Sequence, residues 1–356
     1  MWERLAQTKE WMLLHERKLS AAGLFLGFIW DSLTGSNPGG VFPHISIISY
    51  FLLAAGCIVL LNIRGREGTL GPIPLLTILQ FSFGNLASAL FVLYSRSGTL
   101  VGSGLFIAAL LFLLIGNEFL RHRYARTHVQ LATWFFLFLP YTTLALPVLL
   151  GRIGDLVFLF SGFIALMCVA GLVWVVRRVA TEAVYTALTK IAVSISLIYG
   201  IFTTFYFLNL IPPVPLSLTH IGMYHALERD AAGNYLVAYE KPAWWALWRD
   251  TSPTFTYTSG DPGYCFSAVF APSSLSVPIF HRWEKYDEVT EEWKTITYLS
   301  FPINGGRSGG YRGYSETYRL SEGRWRCSVE TQRGALIGRT IFTVVSGEPQ
   351  LFETTL

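Results

Sequence analysis

The sequence predicts a polytopic α-helical membrane domain followed by an all-β, sandwich-like soluble domain. Three observations predict it. The mean hydropathy of +0.44 is too high for an ordinary soluble protein. Apolar runs broken by short basic or Gly/Pro loops fill the chain up to Ile211-Pro212-Pro213. Beyond that point the sequence turns polar, aromatic and Gly-rich, with strand-like alternation. The break divides a membrane domain, residues 1–211, from a soluble domain, residues 212–356.

A helix needs about 20 apolar residues to span a bilayer. About seven segments qualify. The first, Leu19–Thr34, is short and carries Asp31, and an interfacial or re-entrant segment is its alternative. Pro43–Ile63 follows, with Pro43 suited to a first helical turn. Then come Pro74–Tyr94, Leu100–Leu120, Val129–Leu150 with kinks expected at Pro140 and Pro147, Leu156–Val176 and Ile191–Leu210. Residues 1–18 carry four basic and three acidic residues with no small-residue cleavage site after the first apolar run, so no cleavable signal peptide is expected.

Loop charge sets orientation. Arg4, Lys9, Arg17, Lys18, Arg64, Arg66, Arg121, Arg123, Arg126, Arg177, Arg178 and Lys190 fall on one side, against Arg96 and Arg152 on the other. The N-terminus is therefore expected in the cytoplasm. Seven spans would put the C-terminal domain outside, in the periplasm of a Gram-negative inner membrane. Topology already accounts for the net charge of +4, so nucleic acid is not an expected partner; the bilayer is.

Polar residues inside spans need a reason. Asp31, His44 and Arg96 lie near one expected level and form a candidate periplasmic-face cluster; headgroup water is the plainer account of each. Gln80 and Asn85, with Gly84 and Ser88 at small-xxx-small spacing, read as helix packing. Asn117 and Glu118 end a span, with Arg121 placed to pair with Glu118. Arg177–Lys190 reads as a helical extension or a surface helix, and residues 1–17 as a second amphipathic stretch.

In the soluble half, period-two runs at Asn234–Tyr239, Tyr264–Phe270, Val277–Trp283, Lys294–Phe301, Gly310–Arg319, Arg324–Thr331 and Leu336–Val345 read as strands between Gly-bearing turns. In Arg324–Thr331, Trp325, Cys327 and Val329 share a core face. Arg324, Arg326, Ser328 and Glu330 share an outer one, which Arg282 and Glu284 continue. Cross-strand ion pairs or a ligand face would both explain that pattern.

Trp244, Trp245 and Trp248 crowd five positions. Docking onto a bilayer or the membrane domain is one reading, and a platform for sugar rings is another. The Gly-rich stretch 305–314 lacks the ending of a phosphate-binding loop. It is a hairpin or bulged loop that, with Arg307, Tyr311, Arg312 and Tyr314, would grip an acidic or glycan ligand. Cys57 and Cys168 read as apolar fillers within spans, whereas Cys265 and Cys327 are a candidate disulfide.

Catalytic signals are weak. His220 and His225 have uninformative spacing, and no metal or cofactor is expected. Gly306-Arg-Ser-Gly-Gly310 has the letters of a nucleophile elbow around Ser308 without the strand-to-helix context. Whether the chain is an enzyme is left open.

His281-x-Trp283, Gly310-Tyr-Arg-Gly-Tyr-Ser315, Gly323-x-Trp325-x-Cys-x-Val-Glu-Thr331, Ile337-Gly-Arg339 and Phe342 resemble an uncharacterised bacterial family, domain of unknown function 2914. Position 327, usually aliphatic there, is Cys. Gln80-Phe-x-Phe-Gly-Asn85, Tyr94-Ser-Arg-Ser97 and Gly116-Asn-Glu-Phe119 resemble domain of unknown function 5924, often fused ahead of it. The resemblance implies an inner-membrane location and supplies no catalytic residues. Two functions are then in play: a periplasmic sandwich that binds an envelope glycan, lipid headgroup or protein partner, or a membrane-embedded enzyme or carrier acting on a lipid-linked substrate through Asp31, His44 and Arg96. In a third, a sensor, the sequence offers no cytoplasmic output domain.

Overall fold

The computed structural model describes residues 41–64, 73–117, 123–231, 233–246, 249–258, 260–272, 275–306 and 309–356. The chain divides into two compact units, the second comprising Arg96–Ser103, Leu150–Arg152 and Asn209–Leu356.

Six α-helices occur among the described residues: α1 (Val41–Arg64), α2 (Ile73–Ser97), α3 (Leu100–Gly116), α4 (Thr127–Leu150), α5 (Asp155–Val179) and α6 (Thr181–Phe207). All but α3 are long and apolar enough to cross a membrane. At 1.5 Å per residue these five rise about 36–40 Å, more than the hydrocarbon core. The expected span Leu19–Thr34, with Asp31, lies outside the described residues, so the six helices answer to the second through seventh expected spans. Pro140 and Pro147 lie inside a continuous α4. The polar stretch after α5 is no separate surface helix. A single residue, Ala180, separates α5 from α6, and α6 takes up the rest as its first turns.

Buried polar side chains stitch α1–α4 together at one end. Asn62 donates to Gln130 Oε1 at 2.9 Å and accepts from Thr127 Oγ1 at 2.5 Å. Gln130 donates to the Tyr124 carbonyl, Tyr124 Oη to Asn117 Oδ1 at 2.8 Å, and Asn117 to the Gln80 carbonyl. Every member is buried and partnered, as a low-dielectric setting requires. Gln80 thus packs helices, as its position suggested, whereas Asn85 donates back into its own helix, to the Phe81 carbonyl. Ser88 is buried with an Oγ that has no hydrogen-bond partner among the described residues.

The C-terminal region is β-rich. Its strands are β1 (Ser217–Tyr224), β2 (Ala226–Arg229), β3 (Tyr235–Tyr239), β4 (Thr254–Tyr257), β5 (Gly263–Phe270), β6 (Ser276–Asp287), β7 (Glu292–Asn304), β8 (Tyr311–Thr317), β9 (Gly323–Thr331), β10 (Leu336–Ser346) and β11 (Phe352–Thr355). They form three sheets rather than two: β1-β5-β8, β4-β10-β9-β6-β7 and β11-β3-β2. The seven expected strands all form. β1, β2, β4 and β11 come in addition, short or without clean alternation.

Alternation decides the packing. Cys265 in β5 joins Met223, Phe255, Trp283, Trp325, Cys327, Phe342 and Val344 in a core shared with the five-stranded sheet. Its neighbour Phe266 points the other way, into a core with Tyr224, Tyr235, Val237 and Ala268. The sheet β1-β5-β8 is therefore apolar on both faces, which is why β5 reads as a nearly continuous buried run. Full burial of each large apolar side chain here stabilises the fold by roughly 1.5–3 kcal/mol.

Candidate functional site

Cys265 and Cys327 form a disulfide between β5 and β9, joining two sheets; Cys57 and Cys168 are free. His281 lies beside it, wholly buried, with Nε2 2.8 Å from Ser267 Oγ and Nδ1 2.8 Å from Ser315 Oγ. Trp283 Nε1 donates to the same Ser315 oxygen at 2.9 Å. One proton arrangement satisfies every group: Ser315 accepts from Trp283 and donates to His281, whose Nε2–H donates to Ser267. Burial pushes the His281 imidazole down to about 3, so it is neutral. A Ser–His pair suggests nucleophilic catalysis, but this one is sealed beneath the edge of Phe301, and its third partner is a hydroxyl rather than a carboxylate. Donor atoms of Cys265, His281 and Cys327 also lie within 4.8 Å of one another. The sulfurs are bonded to each other and offer no thiolate to a metal. This cluster holds sheets together.

The Gly-rich stretch connects β7 to β8. Gly305 N–H donates to the Leu275 carbonyl and Gly306 N–H to that of Ala271. Any Cβ at Gly305 would sit 1.6 Å from the Pro272 carbonyl oxygen. The loop is thus clamped to neighbouring backbone. Arg307 and Ser308 lie outside the described residues. Arg312 donates to the Leu356 carbonyl at 2.8 Å, so its guanidinium helps fasten the C-terminus. Tyr311 is half-buried, and Tyr314 is exposed, tilted or edge-on to Tyr264 and Tyr235. Of the expected grip, the described residues leave an exposed tyrosine rather than a basic pocket.

The Trp run is more clearly built. Trp244 and Trp245 are 88% and 60% exposed, while Trp248 lies outside the described residues. Both ends of their loop are pinned. Glu240 accepts from His225 Nε2 at 2.9 Å, from Thr256 N–H at 2.6 Å and from Thr256 Oγ1 at 3.0 Å. At the far end Asp250 lies 3.0 Å from His220 Nδ1, and His220 Nε2 is 2.6 Å from Tyr224 Oη. Between them Ala246 is buried and its N–H donates to the Ala243 carbonyl. Burial lowers the pKa of both histidines, opposed by Asp250 and Glu240. Spacing alone made His220 and His225 uninformative. The acidic residues ending the Trp run were the signal that could have paired them.

In the helical unit, His44 Nδ1 is 3.3 Å from Tyr141 Oη, within an aromatic group that also holds Phe51, Trp134 and Phe138. Arg96 is exposed in the last turn of α2. Asp31 lies outside the described residues. The outer face of the five-stranded sheet carries two cross-strand ion pairs. Arg326 makes a two-nitrogen contact with Glu284 at 2.5 and 2.9 Å, and Arg282 contacts Glu330 at 3.0 Å.

The chain's similarities to known proteins are few. Residues 277–344 match the family model described as Protein of unknown function (DUF2914). That covers β6 to β10, the strands that carry His281, Trp283, Ser315 and Cys327 and the ion-pair face, but not Cys265 and Ser267 of β5. No curated protein matches the chain. Among solved structures, a similarity extends to the Pseudomonas fluorescens alkylpurine DNA glycosylase AlkC bound to DNA containing an abasic site analog. It has 11% identity over 86% of this chain and 99% of that one, at a TM-score of 0.19. A score that low carries no argument about fold or function.

Proposed function

We propose that the chain is a membrane-anchored binding protein of the bacterial envelope, whose C-terminal β-rich region meets an envelope glycan, lipid headgroup or protein partner through the Trp244–Trp245 loop. The observation that carries this reading is the loop itself. Two large, mostly exposed indoles sit on a segment whose ends are held by acid–histidine contacts, a largely buried one at Glu240 and one at the exposed Asp250. Exposed apolar rings cost free energy in an isolated domain, and a segment anchored at both ends loses less entropy on contact than a free one, which suits a binding element.

We place the helices in an inner membrane with the N-terminus in the cytoplasm and the β-rich region in the periplasm. Arg123 and Arg126 precede α4 and Arg177 and Arg178 lie in the last turn of α5, so spans that alternate in direction would put all four on one side, the side loop charge assigns to the cytoplasm. The disulfide supports an oxidising compartment for the C-terminal region, since such bonds are rare in the cytosol. The two sheets that it joins read as a sandwich-like core, with β11-β3-β2 as an added layer. The helical half is part of the same proposal, as a membrane domain resembling domain of unknown function 5924.

The test is site-specific photo-cross-linking in living cells from position 244. Adducts to an envelope lipid, glycan or protein, lost on moving the probe to the exposed Val289 in the β6–β7 turn, at the edge of the five-stranded sheet opposite β4, are expected. Position 244 giving no adducts, with full function retained in the Trp244→Ala/Trp245→Ala variant, would overturn the reading.

A further inference from the structure

The outer face of the five-stranded sheet holds a feature that its ion pairs leave unexplained. Strand pairing sets Arg339 of β10, Ser328 of β9 and Arg282 of β6 side by side in one row. Ser328 is the smallest side chain there, and the long residues around it cover it, so an occupant reaches it only as an arginine side chain swings outward. It is 1% exposed, and its Oγ has no hydrogen-bond partner among the described residues. Beside it, Arg339 Nε is enclosed and likewise unpartnered. Buried polar atoms are nearly always satisfied, so two on directly opposed residues call for a bound group.

Charge says which group. Glu284 is committed to Arg326 and Glu330 to Arg282, and both carboxylates are buried, at 5% and 8% exposure. Arg339 forms no ion pair among the described residues. Neither does Arg324, which stacks 4.8 Å from the centre of the Tyr286 ring. Four guanidinium groups thus face two carboxylates, an excess of two positive charges. The aromatic rings of Trp293, against Arg326, and Tyr298, against Arg282, hold their partners in place without neutralising them. An uncharged occupant would leave the excess in place. A phosphate group carries about −1.5 to −2 charge near neutral pH and accepts several hydrogen bonds at once, from guanidinium and hydroxyl alike.

We propose that Ser328 and Arg339 form the floor and wall of a phosphate-binding site on the outer face of the five-stranded sheet. The site uses residues other than those of the Trp244–Trp245 loop, so it stands or falls apart from the function proposed above. Bound phosphate would accept from Arg339 Nε and from Ser328 Oγ. Arg324 would supply longer-range charge. The source is either free phosphate or the phosphate of a lipid headgroup; both present phosphate oxygens to the same donors, the free ion with about −1.5 to −2 charge and a diester headgroup with about −1.

The full-length protein in a non-ionic detergent tests this by thermal unfolding during titration with sodium phosphate, against sodium chloride at matched ionic strength. A saturable rise in the unfolding temperature is expected. A linear, non-saturating rise is the general salting effect of phosphate on protein surfaces. Arg339→Gln should weaken the apparent affinity roughly tenfold or more, the loss typical of one charge-assisted hydrogen bond. Ser328→Ala should weaken it less and leave the unfolding temperature without phosphate unchanged or higher, because it removes an unpartnered hydroxyl. Should Arg339→Gln fail to fold, Ser328→Ala together with phosphorus NMR line-broadening reads the same site. Tighter binding of glycerol 3-phosphate than of inorganic phosphate would point to a headgroup, and the reverse to the free ion. No saturable shift, or equal affinity in wild type and Ser328→Ala, would overturn the proposal.

Discussion

His281 shows what burial does to a titratable side chain. Its imidazole titrates near 3 in the fold and near 6.5 in an unfolded chain. Between those values the unfolded state holds a proton that the native state refuses, so folding stability falls as pH drops below about 6.5. The slope is about 1.4 kcal/mol per pH unit from this one group. His220 and His225, also depressed, act in the same direction. Acid titration of the unfolding temperature should therefore show a decline starting near neutrality, and His281→Asn should flatten it. Gly305 makes a steric prediction. Gly305→Ala would drive a methyl into the Pro272 carbonyl, so the β7–β8 loop must open, and proteolysis at that loop should increase. Arg312 has a partner that no short window of sequence pairs with it, the Leu356 carbonyl at the far end of the chain.

Elements raise different questions. The Cys265–Cys327 bond closes a separation of 62 residues and ties two sheets. In the chain-entropy account its loss costs roughly 4 kcal/mol. Cys327→Ser should lower the unfolding free energy measured in urea by that amount, with the transition slope rising because the unfolded chain expands. In the helical unit, Asn62→Leu would orphan Gln130 Oε1 and the Thr127 hydroxyl together. Partners in membranes are worth about 1–2 kcal/mol, so a drop of that order in resistance to denaturing detergent is expected. Strand periodicity was legible for β6, β7, β9 and β10 because each has one apolar and one polar face. β1 and β11 were not, since β1 is half-buried along much of its length and β11 is only four residues long. The α5–α6 connection was illegible for a related reason: a polar stretch reads as a surface helix until the break at Ala180 is seen.

At the scale of the whole molecule, orientation is the testable quantity. Alkaline phosphatase, active only where its disulfides form, should be active when fused after Leu356 and inactive when fused in the 118–122 segment. The reverse pattern would place the β-rich region in the cytoplasm and remove the reason for its disulfide. What composition and periodicity determined was the division into an apolar helical half and a β-rich half, most helix and strand positions, and the choice of Cys265 and Cys327 as partners. These are local or statistical properties, carried by hydropathy, turn residues and charge over short windows. Only the tertiary structure decided that three sheets form and that His281 is sealed. It alone showed that His220 and His225 pin the Trp loop, and that Ser328 and Arg339 meet with their polar atoms unpartnered. Each of those depends on residues brought together from different strands, and burial, which turns such meetings into chemistry, cannot be read from one segment at a time.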